Sequence, residues 1–118
     1  EILTVTPEEH DEIVANISHL PHILASMLCC FLATRPESWK LYSGNGLRDT
    51  TRIAAGSPAL WRAILMQNRE EIIRSLHGFH EELYRLERAL KNGNDFEILK
   101  LLERGKSFRD SVPPDASP

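Results

Sequence analysis

The chain has 118 residues, 42% of them hydrophobic and 26% charged, which is one domain's length and ordinary globular composition. That excludes a disordered, collagen-like or disulfide-scaffold chain. Fourteen Lys and Arg stand against 17 Asp and Glu for a net charge of −3, with no block of like charge to suit a phosphate backbone or an anionic membrane, so neither nucleic acid nor a membrane is an expected partner.

Residues 1–5 alternate weakly around Ile2, Leu3 and Val5 and are predicted as the end of a strand whose sheet lies elsewhere. Residue 1 is Glu and no secretory signal pattern follows it, so a fragment is expected. Thr6, Pro7 and Glu9 predict a helix start with a capping box, and a long helix over residues 7–33. Between Glu12 and Arg35 this helix has no charged residue. Asn16, Ser18, His19, Pro21, His22 and Ser26 argue against a membrane span, because that polar load is costly in lipid.

Steps of 100° give two faces. Ile13, Ile17, Leu20, Leu24, Leu28 and Phe31 form a stripe of large side chains, the expected core face; opposite lie Ala15, Ser18, His22, Ala25, Ser26 and Cys29. A helix uncharged all round is a buried helix, and a chain this small cannot cover it, so a second copy or another domain is expected. Pro21 should bend the helix near His19 and His22.

Residues 34–47 are predicted as a loop, marked by Pro36 and by Gly44, Asn45 and Gly46, and residues 48–55 as a short polar turn closed by Gly56. Ser57 and Pro58 start the next helix, with Leu60, Trp61, Ile64 and Leu65 apolar. Asn68 and Glu71 predict a break with a second capping box. Ile72, Leu76, Phe79, Leu83, Leu86 and Leu90 then keep a heptad, with Glu70–Arg74, Glu81–Arg85 and Glu87–Lys91 as i,i+4 pairs on the wet side. Gly93 ends that helix, and Asp95 is the expected cap of the last one. Residues 112–118 hold three prolines and are predicted to be a disordered tail.

Few constellations suit chemistry. His19 and His22 share a face, but His10 lies half a revolution away, so no metal site is predicted. Adjacent Cys29 and Cys30 diverge on a helix, which suits a reducing compartment, and no base accompanies them in sequence. Gly44 to Gly46 lacks the third glycine and the preceding strand of a dinucleotide fingerprint. The dense turn Arg48, Asp49, Thr50, Thr51 and Arg52 could offer an arginine fork to a carboxylate, against the plain alternative of a surface arginine. His22 has the plain alternative of a hydrogen-bonded core histidine, and Trp61 that of a core residue.

The run His10-Asp11, Val14-Ala15, Ser18-His19-Leu20-Pro21-His22, Ala25 and Leu28 resembles the "HD…SHLPH" helix of prephenate dehydrogenases. Gly44-Asn45-Gly46-Leu47-Arg48-Asp49-Thr50-Thr51-Arg52-Ile53-Ala54, then Ser57-Pro58 and Trp61, resembles that family's "GGGFRDTTRIA…DPxxW" segment, with Asn45 and Leu47 departing from the pattern. The likeness covers residues 1–109.

This resemblance implies an all-α helical bundle forming an intertwined homodimer: the C-terminal dimerisation and substrate-binding domain, over residues 7–111, of a cytoplasmic enzyme of tyrosine synthesis. Residues 1–6 then become the remnant of a link to an N-terminal Rossmann domain that binds NAD or NADP. The implied reaction is oxidative decarboxylation of prephenate, or the corresponding oxidation of arogenate. By the same resemblance Arg52 holds the ring carboxylate and His22 bonds the pyruvyl side chain, while Trp61, Gly46 and Asp49 shape the pocket. The proton-accepting histidine belongs to the nucleotide domain, so no catalytic residue is expected here and this chain alone should be inactive. A non-catalytic helical dimer module, and a related domain acting on another small acid, are the competing readings.

Overall fold

The computed structural model describes residues 4–114, and every regular element among them is helical. Thr4 to Thr6 carry no regular structure, while Ile2 and Leu3 of the expected strand lie outside the described residues. The chain forms two compact units, Glu1–His77 and Gly78–Pro118.

The first unit opens with α1 (Pro7–Val14), a π-helical turn (Ala15–His19) and α2 (Leu20–Leu32), continuous over Pro7–Leu32. The predicted capping box is formed: Thr6 Oγ1 accepts from the Glu9 N–H and the Glu9 carboxylate accepts from the Thr6 N–H, both at 3.1 Å. These bonds hold the Glu9 carboxyl below its ordinary range. The expected bend at Pro21 takes the form of the π turn just before it. Proline has no N–H, and its ring crowds the carbonyl four residues back, that of Ile17. One wider turn, closed by the Leu20 N–H on the Ala15 carbonyl, relieves that crowding.

The extra residue in this turn breaks the 100° count, and the expected core face is corrected with it. Ala15, His22, Ile23 and Ala25 are the buried residues of the rod, whereas Ile17 is 66% exposed, with Ile13 and Phe31 about half exposed. Ala15, whose small side chain lets a neighbouring helix approach, and Ile23 join Ile72, Leu65 and Leu76 in the core of the unit. By length and composition the rod could cross a bilayer. Within the unit the Asn16 side chain is bonded, Ser75 donating to its Oδ1 at 2.7 Å, and Asn68 Nδ2 donates to the Asp11 backbone carbonyl of the rod at 2.8 Å.

The expected loop over residues 34–47 holds a 3₁₀-helix (Glu37–Tyr42), and α3 (Asn45–Thr51) starts inside the glycine cluster with extended Gly44 as its cap. A second 3₁₀ turn (Arg52–Ala55) leads to Gly56. Then α4 (Pro58–Gln67) begins as predicted, Ser57 Oγ accepting from the Leu60 N–H at 3.3 Å. The break at Asn68 is present, but the second capping box is not among the described hydrogen bonds: the Asn68 amide faces α1, and the Glu71 carboxylate pairs with Arg74.

α5 (Arg69–Lys91) and α6 (Asp95–Ser111) complete the chain. Only Glu87–Lys91 of the expected ion pairs forms at i,i+4, at 3.0 Å; Arg74 and Arg85 choose Glu71 and Glu82 at i,i+3. Gly93, at φ 61°, ends α5 with the Asn94 N–H on the Ala89 carbonyl and its own N–H on that of Leu90. Asn94, and not Asp95, caps α6 by accepting from the Glu97 N–H at 3.1 Å. Beyond Ser111 the residues to 114 are without regular structure, and the rest of the expected tail lies outside the described residues.

Candidate functional site

The site grows from the π turn. His19 ends that turn and His22 lies in the first turn of α2, so both imidazoles reach Trp61 of α4. His22 stacks on the indole with ring centroids 3.7 Å apart and planes 10° from parallel, while His19 meets it edge-on at 6.1 Å and 84°. Gly56 lies against this stack: a Cβ there would sit 3.3 Å from Trp61 Nε1 and 3.4 Å from His22 Cε1. The 3₁₀ turn after α3 brings Arg52 alongside, since Thr51 leaves the helix at φ −103°, ψ 2° with its hydroxyl on the Leu47 carbonyl.

These residues line an open cavity of about 620 Å³ shared by Ile17, Pro21, His22, Arg52, Gly56 and Trp61 among others. A second, mainly apolar cavity of about 540 Å³ meets the first at His22, Gly56 and Trp61. Arg52 is the one charged side chain lining the first cavity, and it has no ion pair among the described residues. His22 is only 7% exposed, yet neither ring nitrogen has a hydrogen-bond partner among the described residues. No buried side-chain nitrogen or oxygen among the described residues lacks a partner, so these unbonded ring nitrogens open to the cavity, and the plain reading as a hydrogen-bonded core histidine does not describe this ring. The Arg52 guanidinium, exposed and unpaired, and the His22 imidazole line one cavity with aromatic and aliphatic walls, which suits a carboxylate-bearing ligand with a flat hydrocarbon body.

Of the five residues expected at the site, Arg52, His22 and Trp61 share this cavity. Gly46 and Asp49 lie on exposed faces of α3 and do not line it. His10 is apart from the other two histidines, 3.5 Å from Asp11 in an exposed contact. Sequence reading missed Gly56, taken only as a helix stop, and Asn68, taken only as a cap. Their part is visible only once the helices are placed. Burial holds His19 below the usual imidazole range, which favours its neutral ring.

Residues 6–104 match the family described as "Prephenate dehydrogenase, dimerization domain". Prephenate dehydrogenase of Bacillus subtilis (strain 168) is 31% identical over 112 residues, covering 92% of this chain and 30% of that protein. The structure of prephenate dehydrogenase from A. aeolicus in complex with hydroxyphenyl propionate and NAD+ superposes with a TM-score of 0.88 at 29% identity, covering 96% of this chain and 41% of that one. Synechocystis arogenate dehydrogenase gives a TM-score of 0.87 at 29% identity, over 93% of this chain and 41% of that one. The chain therefore spans less than half the length of each of these proteins.

Proposed function

Because the chain belongs to the prephenate dehydrogenase dimerization-domain family, we propose that it is the dimerising and substrate-binding part of a cytoplasmic, NAD- or NADP-linked prephenate or arogenate dehydrogenase. The observation that carries the substrate role is the exposed, unpaired Arg52 in one cavity with His22, a largely buried ring whose unbonded nitrogens open to that cavity. Prephenate is a dianion, and a carboxylate leaving water needs a fixed cationic fork. Arg52 takes the ring carboxylate, His22 bonds the side-chain end, and the Trp61 face backs the ring. Gly46 and Asp49, exposed on α3 and outside the cavity lining, act on the pocket only indirectly. The two free, exposed cysteines, Cys29 and Cys30, suit a reducing compartment.

The described residues do not fit the dinucleotide. They supply helices only, with no strand-to-helix glycine turn to cradle a pyrophosphate. Hydride acceptance is therefore assigned to a separate nucleotide-binding domain, and this chain's part is to hold and orient the acid and to join two copies.

The test is reduced-cofactor formation by the enzyme carrying this domain, offered prephenate and arogenate in parallel, with Arg52→Ala alongside. Turnover of either acid is expected. The variant should lose on the order of 100-fold or more in kcat/KM, equivalent to about 3 kcal/mol for an unpaired carboxylate, with its folding intact. Full activity in Arg52→Ala would refute the role of Arg52, and turnover of neither acid by a folded, cofactor-binding protein would refute the function.

A further inference from the structure

Where α1 passes into the π turn, the backbone bonding changes register and its carbonyls draw side-chain donors. The Ala15 N–H is shared between the Asp11 and Glu12 carbonyls. Asn16 Nδ2 then donates to the Glu12 carbonyl at 2.9 Å, with its Oδ1 held by the buried Ser75 hydroxyl. Asn68 Nδ2 donates to the Asp11 carbonyl at 2.8 Å and stands 3.4 Å from His19 Nδ1.

A carbonyl only accepts, so the Asp11 bond fixes which end of the Asn68 amide faces the rod. The amide's second hydrogen can be received at His19 Nδ1 only if that nitrogen is unprotonated, with the ring's proton on Nε2. No charged side chain bonds or pairs with His19 among the described residues; its ring contacts are Asn68 and a T-shaped contact with Trp61. Trp61 in turn stacks on His22.

We infer that Asn68 is a positioning residue: through one amide it fixes the π turn and the tautomer of His19, and thereby the His19–Trp61–His22 ring arrangement that sets His22 on the Arg52 cavity. The inference rests on the reading of that cavity as a carboxylate site. The capping role suggested by sequence is replaced by a bond to a residue 57 positions earlier in the chain.

Histidine ring ¹⁵N NMR on this chain tests it. Wild-type His19 should carry its proton on Nε2, and an Nδ1–H tautomer overturns the inference without any variant. Asn68→Asp keeps the shape but exchanges the donor for a carboxylate. Its His19 acid dissociation constant should fall by about tenfold or more, and the His22 Cε1–H signal should leave its Trp61-shielded position. Unchanged His19 titration and an unchanged His22 signal overturn the inference. Should that variant not fold, the wild-type tautomer decides.

Titration with hydroxyphenyl propionate separates the two readings. Shifts at His22 that require about tenfold more ligand in both Asn68→Ala and Asn68→Asp support the inference, and equal affinity overturns it. Ring changes as expected with no ligand response in any protein uphold Asn68 and count against the carboxylate site.

Discussion

His22 and His19 stand three residues apart on one rod and differ in what burial does to them. His22 is closed in by a parallel indole and left without a hydrogen-bond partner among the described residues, a state suited to receiving one from a ligand. Gly56 leaves room beside that stack, since a Cβ there would come 3.3 Å from Trp61 Nε1 and ask the indole to give by a few tenths of an ångström. His19 has its partner in Asn68, and burial lowers its affinity for a proton. A base whose folded value lies below its unfolded one stabilises the fold fully above the ordinary imidazole value of about 6.5. As pH falls below that value the unfolded chain takes up a proton that the folded ring refuses, and stability is lost until the lowered folded value is reached. Urea midpoints at pH 7.5 and 5.5 should therefore fall further for the wild type than for His19→Gln. The other histidines cancel in that comparison, and equal falls would remove His19 as the cause.

At the scale of elements, the rod turns Ala15, His22, Ile23 and Ala25 inward within the first unit, with Leu20, Leu24 and Leu28 of the large stripe half-buried and Ser18 and Cys29 exposed. Ala15 is fully buried against Ile23 and Ile72, whereas Ile17 faces out. Ala15→Leu should thus cost about 1–3 kcal/mol through overpacking, while Ile17→Ala should change the unfolding of the dissociated chain by less than about 1 kcal/mol. Denaturant unfolding at nanomolar concentration measures both, and the reverse ranking would restore the large stripe as the core. The helix starts at Thr6-Pro7-Glu9 and Ser57-Pro58, and the stop at Gly93, were legible in sequence because each rests on chemistry within one turn. The inward face was not legible, because a π turn shifts the period by one residue and leaves no mark in composition beyond Pro21. The ion pairs slipped from i,i+4 to i,i+3 since Glu70-Glu71 and Glu81-Glu82 offer two carboxylates within equal reach. Arg52, His22 and Trp61 were legible as a group through the family resemblance, and Asn68 was not, because its bond partners are far away in sequence.

For the whole molecule, the question is what covers the outward stripe. Ile13, Ile17 and Phe31 stay exposed on a helix with no charge between Glu12 and Arg35, and exposed apolar stripes of this kind mark association surfaces. A second copy is the economical occupant, since a two-fold axis lets one apolar stripe meet its own image, and the family is described as a dimerization domain. Sedimentation of the chain at micromolar concentration should give about twice 13.4 kDa. Placing charge in the stripe, as Ile17→Glu with Phe31→Glu, should return the mass to 13.4 kDa, because two carboxylates buried without partners cost more than the contact returns. The helical circular dichroism of the separated chains should stay near that of the dimer, for Ala15, Ile23 and Ile72 form the buried core while Ile17 and Phe31 are exposed. A wild-type monomer would defeat the dimer reading. A charged variant that still sediments at twice the mass would move the interface off this stripe, to another apolar face such as that of Phe96, Leu99 and Leu102 on α6.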